Sequence, residues 1–269
     1  MPGKTPAEYL LLLLFFTVPF LSASSHLQQS KSISRTANDR VVIRPRTVVL
    51  IRPAKLAKEF PERKTATVTY PIVSGLSNVQ ILRRVQSILS VKNVFDYSLN
   101  EYRQDSWLTE FTYQTNYNAN YILDISFTQS GMAAYPDTQT KHFAIDLKTG
   151  AVIKPGDVFL DAKLGSLAGI VDTKLQAELG QITRTIKTSS ELESNQGNSI
   201  VEAFAELKFE AANLNEFEVG RKGITFLYDA GFPHVIRAFE PRGRYFFTYS
   251  EMKPYIKREG MLGQFVNWG

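Results

Sequence analysis

Two stretches near the middle of the chain alternate strictly between apolar and polar positions. Phe111, Tyr113, Thr115 and Tyr117 share one face, with Glu110, Thr112, Gln114 and Asn116 on the other. Tyr121, Leu123, Ile125 and Phe127 then alternate with Ile122, Asp124, Ser126 and Thr128. Period two is what a half-buried strand requires. Asn118-Ala119-Asn120 between the runs has turn chemistry, so the pair reads as a hairpin with an aromatic inner face. Upstream, residues 66–70 alternate as a strand that stops at Pro71 and Gly75. A helix start follows, with Ser77 and Gln80 as a capping box and Leu76 and Ile81 as a hydrophobic staple. Val79, Leu82, Val85, Ile88 and Leu89 fall on one helical face and predict a core helix.

Residues 131–159 combine a Gly-Met-Ala-Ala-Tyr-Pro-Asp loop, a strand, a Lys-Thr-Gly turn, a second strand and a closing Gly-Asp-Val-Phe. In that strand Phe143, Ile145 and Leu147 point one way, and His142, Ala144 and Asp146 the other. His142 and Asp146 would be neighbours on a helix, but four strand residues span roughly 13 Å, too far for one metal or one proton relay. They read as a solvated strand face. Beyond Asp161 a long amphipathic helix carries Leu164, Leu167, Val171, Leu175, Leu179, Ile182 and Ile186. Residues 188–198 read as an exposed loop, after which Ser199 and Glu202 form a second capping box. Phe217 with Val219, Ile224 with Phe226 and Tyr228, and Tyr245 with Phe247 and Tyr249 predict three more strands. Ser250 is placed to cap a short helix. Residues 229–243 form a loop that concentrates His234, Arg237, Glu240 and Arg242. The expected fold class is α+β, with antiparallel sheets, helices packed on one face and two small units.

Composition changes this picture mostly at the N-terminus. Hydrophobic content of 43% and charged content of 21% are those of a globular protein. Lys4, an apolar run over residues 9–21 broken only by Thr17 and Pro19, and Ser22-Ala23-Ser24-Ser25 form a signal-peptide pattern over residues 1–24. The run is too short to span a bilayer, so export to the periplasm or outside is expected. Residues 31–64 hold ten Lys or Arg against three acids, a local charge of +7 in a chain of +5. The basic excess thus reads as a linker or tail over residues 25–64 and not as a folded binding face. Within it, residues 41–46 and 49–53 are short β-branched runs each stopped by Arg-Pro, which reads as edge strand or extended linker. The charge is of the phosphate-contacting kind. Export argues against nucleic acid and for attraction to an anionic envelope, or for a plain solvated linker. There is no cysteine, which closes disulfides, thiol nucleophiles and thiolate metal sites.

Several motifs now resemble a known family. They are the Gly131 loop, the strand ending Ile145-Asp-Leu-Lys-Thr-Gly150, Gly156-Asp-Val-Phe159 before the long helix, Gly223-Ile-Thr-Phe-Leu-Tyr228 and Tyr249-Ser-Glu-Met-Lys-Pro-Tyr255. Together they resemble the extracytoplasmic RsiV-like domain. Val68-Thr-Tyr-Pro-Ile-Val-Ser-Gly75 and its helix are similar to the companion domain found with RsiV and with the peptidoglycan deacetylase PdaC. The resemblance covers roughly residues 66–257. It implies a companion domain over residues 65–138, an RsiV-like domain over 139–258 and a tail over 259–269. Such domains sense lysozyme for an anti-sigma factor in RsiV, and accompany a separate catalytic domain in PdaC. This chain carries Tyr135 where family members often have histidine, in Gly131-Met-Ala-Ala-Tyr135-Pro136 against Gly-Gly-Ala-His-Pro. It shows no cytoplasmic signalling domain and no deacetylase domain, so neither role transfers whole.

No metal-binding His-Glu-x-x-His, Gly-x-Ser-x-Gly elbow or phosphate-cradling Gly-x-x-x-x-Gly-Lys is present. No catalytic residue, cofactor or metal is therefore expected. The leading reading is an exported envelope module that binds a lysozyme-like protein or a cell-wall glycan, with Tyr135, Asp137, His234, Arg237 and Arg242 as ligand-binding candidates. The alternative is a hydrolase acting on envelope polymers, or a deacetylase-associated enzyme, around Tyr135, Asp137 and His234. That rival requires the three residues to converge in one cleft. A third reading is a structural partner docked by its basic tail.

Overall fold

A ten-residue strand, β1 (Val42–Ile51), starts the described part of the chain, inside the segment that composition alone reads as linker. The computed structural model describes residues 39–188 and 194–269, so the signal-peptide reading of residues 1–24 lies outside the described residues. After β1 come α1 (Ala54–Glu59), β2 (Thr65–Ser74), α2 (Val79–Ile88), α3 (Val91–Phe95) and α4 (Leu99–Gln104). Strands β3 (Leu108–Ala119), β4 (Ile122–Met132), β5 (Pro136–Asp146) and β6 (Ala151–Val152) follow. The C-terminal half holds α5 (Pro155–Val158), α6 (Leu164–Thr188), α7 (Ser194–Phe204), β7 (Phe217–Val219), β8 (Gly223–Leu227), β9 (Arg244–Thr248) and α8 (Tyr249–Met252).

The fold is α+β with two sheets, one of six strands in the order β1 to β6 and one of three in the order β7-β8-β9. The six-stranded sheet is mixed and not purely antiparallel. β2 and β3 pair in parallel, because α2, α3 and α4 form the crossover between them. β1 is the edge-strand alternative realised. Val41, Leu50 and even Arg52 are buried, and the Arg52 guanidinium donates to the Tyr102 and Leu108 carbonyls. This part of the basic segment is thus built into the sheet.

Several boundaries shift for identifiable reasons. β2 runs through Pro71, which lies opposite Pro45 in the β1 ladder. A proline pair in a ladder fits a position where neither N–H is needed. The cap of α2 is Asn78, whose side chain accepts from the amides of Gln80 and Ile81, one residue past the expected Ser77. Asn120 and Tyr121 both have positive φ and form the two-residue turn of the β3–β4 hairpin, with Ala119 opposite Ile122. α7 begins at Ser194, upstream of the expected cap at Ser199. Thr248 caps α8 through a box with Glu251, and Tyr249 joins the helix instead of the strand. Residues 259–269, expected as a tail, pack inward: Leu262 is buried and Phe265 stacks on Tyr249 at 4.7 Å.

Each sheet has its own core. Val85 of α2 and Leu89 at its C-terminal end, Val94 and Phe95 of α3, and Phe111, Leu123, Ile125 and Phe127 fill one face of the larger sheet. The second core joins α6 through Leu167, Val171, Leu175 and Leu179 to Phe217, Ile224, Phe226 and Phe247 of the smaller sheet. Ile122 and Ala144 belong to this second core, so β4 and β5 present one face to each. The boundary expected between residues 138 and 139 therefore falls inside β5. No helix among the described residues is long and apolar enough to cross a membrane.

Candidate functional site

The expected loop at residues 131–137 contracts to a tight hairpin tip. Gly131 and Met132 end β4, Pro136 and Asp137 start β5, and Ala133, Ala134 and Tyr135 join them. Gly131 is required by close approach: a Cβ there would lie 2.4 Å from the Trp107 carbonyl oxygen and 2.5 Å from its ring. The Met132 amide bonds that same carbonyl at 2.9 Å, fixing the direction of the hairpin. Its tip leaves Tyr135 exposed at 59%.

A second loop, residues 229–243, lies against this tip. Tyr228 N–H bonds the Gly243 carbonyl at 2.9 Å and closes the loop at its base. Gly243 has φ +63°, and any Cβ would overlap the Tyr228 carbonyl oxygen at 1.8 Å. Phe232 stacks on Phe204 of α7 at 5.8 Å and anchors the loop to the second core. Inside it, His234–Phe239 winds as a 3-10 helix that presents His234 and Arg237.

Four of the five candidates come together here. The rings of Tyr135 and His234 stack at 4.2 Å with 21° between planes. Arg237 Nη1 donates to Asp137 Oδ1 at 2.9 Å, and this guanidinium holds the Asp137 carboxyl below the usual range. Arg242 goes elsewhere: its backbone amide and Nε donate to Glu178 of α6, at 3.0 and 3.2 Å. The two loops share a groove of about 650 Å³ lined by Asp137, Thr138, Gln139, Asp229, Arg237 and Glu240 among others. A second cavity of about 520 Å³ adjoins it, sharing Thr140 and Asp229 and reaching Lys141, His142 and Glu216. Burial pushes the Glu216 carboxyl up, partly countered by Lys141.

His142 is not a wet-face residue. Its side chain is 12% exposed and points, with that of Ala144, toward the smaller sheet. Nδ1 lies 3.2 Å from Glu218 Oε1, within ion-pair distance but off the line that a formed hydrogen bond needs. Glu218 is held by both terminal nitrogens of Arg244, at 3.1 and 2.5 Å. Beside them Asp124 accepts from the Val219 amide at 2.7 Å and from Asn116 Nδ2 at 2.8 Å. Asp146 turns the chain instead, accepting from the Lys148 amide and the Thr149 hydroxyl. The sequence signal for the polar seam was the polar Asp124 within a run of apolar residues; its partners on β7 and β9 have no local signature. Among the described residues no group of three or more His, Asp or Glu is arranged to hold a metal ion.

Against solved structures the likeness is one of fold. The fold resembles a DUF3298 protein. A crystal structure of a DUF3298 member from Bacteroides fragilis aligns with a TM-score of 0.52 at 12% identity, over 85% of this chain and 98% of that one. A DUF3298 protein from Pseudomonas aeruginosa aligns at 0.47 and 8% identity, over 84% and 97% respectively. At such identity the DUF3298 likeness speaks for fold alone. The sequence matches no known family profile and no curated protein.

Proposed function

We propose that the protein is a non-catalytic binding module of the cell envelope, and that the groove between the β4–β5 tip and the 229–243 loop holds its ligand, a cell-wall glycan chain. One observation carries the reading. Two segments about a hundred residues apart in sequence are joined by the Asp137–Arg237 pair and the Tyr135–His234 stack, and the Asp137–Arg237 pair lines a polar groove between them. Carboxylates, a guanidinium, an amide and hydroxyls that converge on a concavity suit a ligand rich in hydroxyls. The signal-type N-terminus supports export and the resemblance described above supports an envelope setting.

The hydrolase reading draws on the same convergence of Tyr135, Asp137 and His234. Glycoside hydrolysis needs one carboxyl kept protonated beside an ionised one. Asp137 is drawn the other way by Arg237, which favours its ionised form. A fixed acceptor suits binding better than proton donation.

The test is co-sedimentation of the purified mature protein with insoluble peptidoglycan, with lysozyme as a protein ligand in a parallel pull-down. The expected result is retention on peptidoglycan that falls at least about tenfold in Asp137→Ala and Tyr135→Ala, the size of one or two lost polar contacts. No retention of the wild type on peptidoglycan refutes the reading. Capture by lysozyme alone would redirect the site to a protein ligand.

A further inference from the structure

The groove does not end at the hairpin tip. It runs on into the second cavity, and its floor is the outer edge of β5. β4 covers the other edge along the whole length of β5, whereas β6 pairs only with Ile145 and Asp146. Among the described residues no strand pairs with the outer edge from Pro136 to Phe143.

The direction of each peptide group along that edge follows from two hydrogen bonds. Leu147 N–H bonds the Tyr121 carbonyl at 2.8 Å, so odd-numbered residues turn their peptide groups toward β4. Ile153 N–H bonds the Ala144 carbonyl at 2.7 Å, so even-numbered residues turn theirs outward. The β4–β5 register is unbroken from Ile122–Asp146 to Met132–Pro136, so the alternation holds along the strand. Thr138, Thr140 and His142 therefore aim their N–H and C=O into the trench. The Thr138 amide is partly taken by the carboxylate of Asp137. Thr140 and His142 each offer a donor and an acceptor side by side, and a bare edge of this kind is a template for another amide. Asn93 and Val94 of α3 form one wall of this stretch, and Glu216, Leu227 and Asp229 the other.

We propose that this edge reads the secondary amides of an extended polymer, and that the ligand of the groove is an N-acetylated glycan. The N–H and C=O of an acetamido group point opposite ways, so each acetamido takes one bond from this edge: its C=O accepts from the Thr140 or His142 amide, or its N–H donates to one of their carbonyls. The sugar hydroxyls are left to Asp137, Gln139, Arg237 and Glu240 in the first cavity. The inference rests on the binding reading above and adds the ligand's functional group and the second cavity.

The test is calorimetric titration of the full mature protein with three β-1,4-linked hexamers, of N-acetylglucosamine, glucosamine and glucose. Two variants accompany the wild type. Thr140→Pro deletes an outward N–H without touching the β4 ladder, a place where strands accept proline. Thr140→Val keeps the N–H and loses only the hydroxyl, which pairs with Thr128 at 3.2 Å. The expected result is binding of the acetylated hexamer at least about tenfold tighter than of the other two. Thr140→Pro should bind that hexamer about tenfold more weakly than Thr140→Val, which shares the loss of the hydroxyl but keeps the N–H. The comparison of hexamers on the wild type needs no variant to fold. Equal affinity for all three overturns this inference and leaves the glycan reading in place. Binding of none, together with no retention on peptidoglycan, overturns both. Preferential binding of an extended Val-Thr hexapeptide that Thr140→Pro abolishes would also overturn it, by making the edge a strand-addition site.

Discussion

Asp124 is fully buried between the two sheets. Burial pushes its carboxyl up to about 7, and Glu218 adds to the rise, while the Val219 amide, Asn116 and Arg244 work against it. The unfolded chain loses that proton near the ordinary value of 3.8, so between about 4 and 7 the folded state binds more protons than the unfolded one. Stability contributed here therefore falls as pH rises through that window. His142 runs the other way: burial lowers it, so its protonation below the usual histidine value costs stability. Comparing the wild type with Asp124→Asn separates the two. Relative to the variant, the wild type should gain stability, on the order of a few kcal/mol, as pH falls from 8 to 5. Thermal melts at both pH values decide it, and parallel curves for the two proteins contradict the assignment.

At the scale of elements, the site depends on a loop whose shape is set far from the ligand. Gly243 closes the 229–243 loop in a conformation that places any Cβ on the Tyr228 carbonyl. Gly243→Ala should destabilise the protein by about 2 kcal/mol or more, and should weaken peptidoglycan retention even where the protein remains folded. An unchanged melting temperature would show that the loop base can relax. The sheet around it was legible because period two survives in Phe111 to Tyr117 and in Tyr121 to Phe127, where one face is core. Tyr135, Asp137, His234 and Arg237 stood out because turn-rich segments concentrated them. Their convergence could not be read from spacing, since the Asp137–Arg237 contact is a tertiary one. Arg242 looked equivalent to Arg237 and is not, because the chain turns at Gly243 and lays it on α6. His142 was misread because alternation tells which face a residue takes, and not that a second sheet covers that face.

For the whole molecule, the main revision concerns charge. Composition assigns residues 31–64 to a solvated segment, whereas Leu50 of β1 and the flanking Val41 and Arg52 are buried, and Arg52 ties this segment to α4 and β3. A basic run with interleaved β-branched residues is ambiguous, since edge strands often carry cations to discourage association. Deleting residues 39–64 should remove cooperative unfolding or leave the protein insoluble, because it bares Val68 and Val73 of β2. A shortened protein that melts like the full one would restore the linker reading.

The groove itself is tested most directly by amide chemical-shift mapping of the nitrogen-15-labelled protein titrated with the N-acetylglucosamine hexamer. The account predicts that the largest shifts fall on Asp137 to Phe143 and on residues 229–240, with Thr140 and His142 among the strongest. Shifts confined to another face, or none at millimolar hexamer, would contradict it.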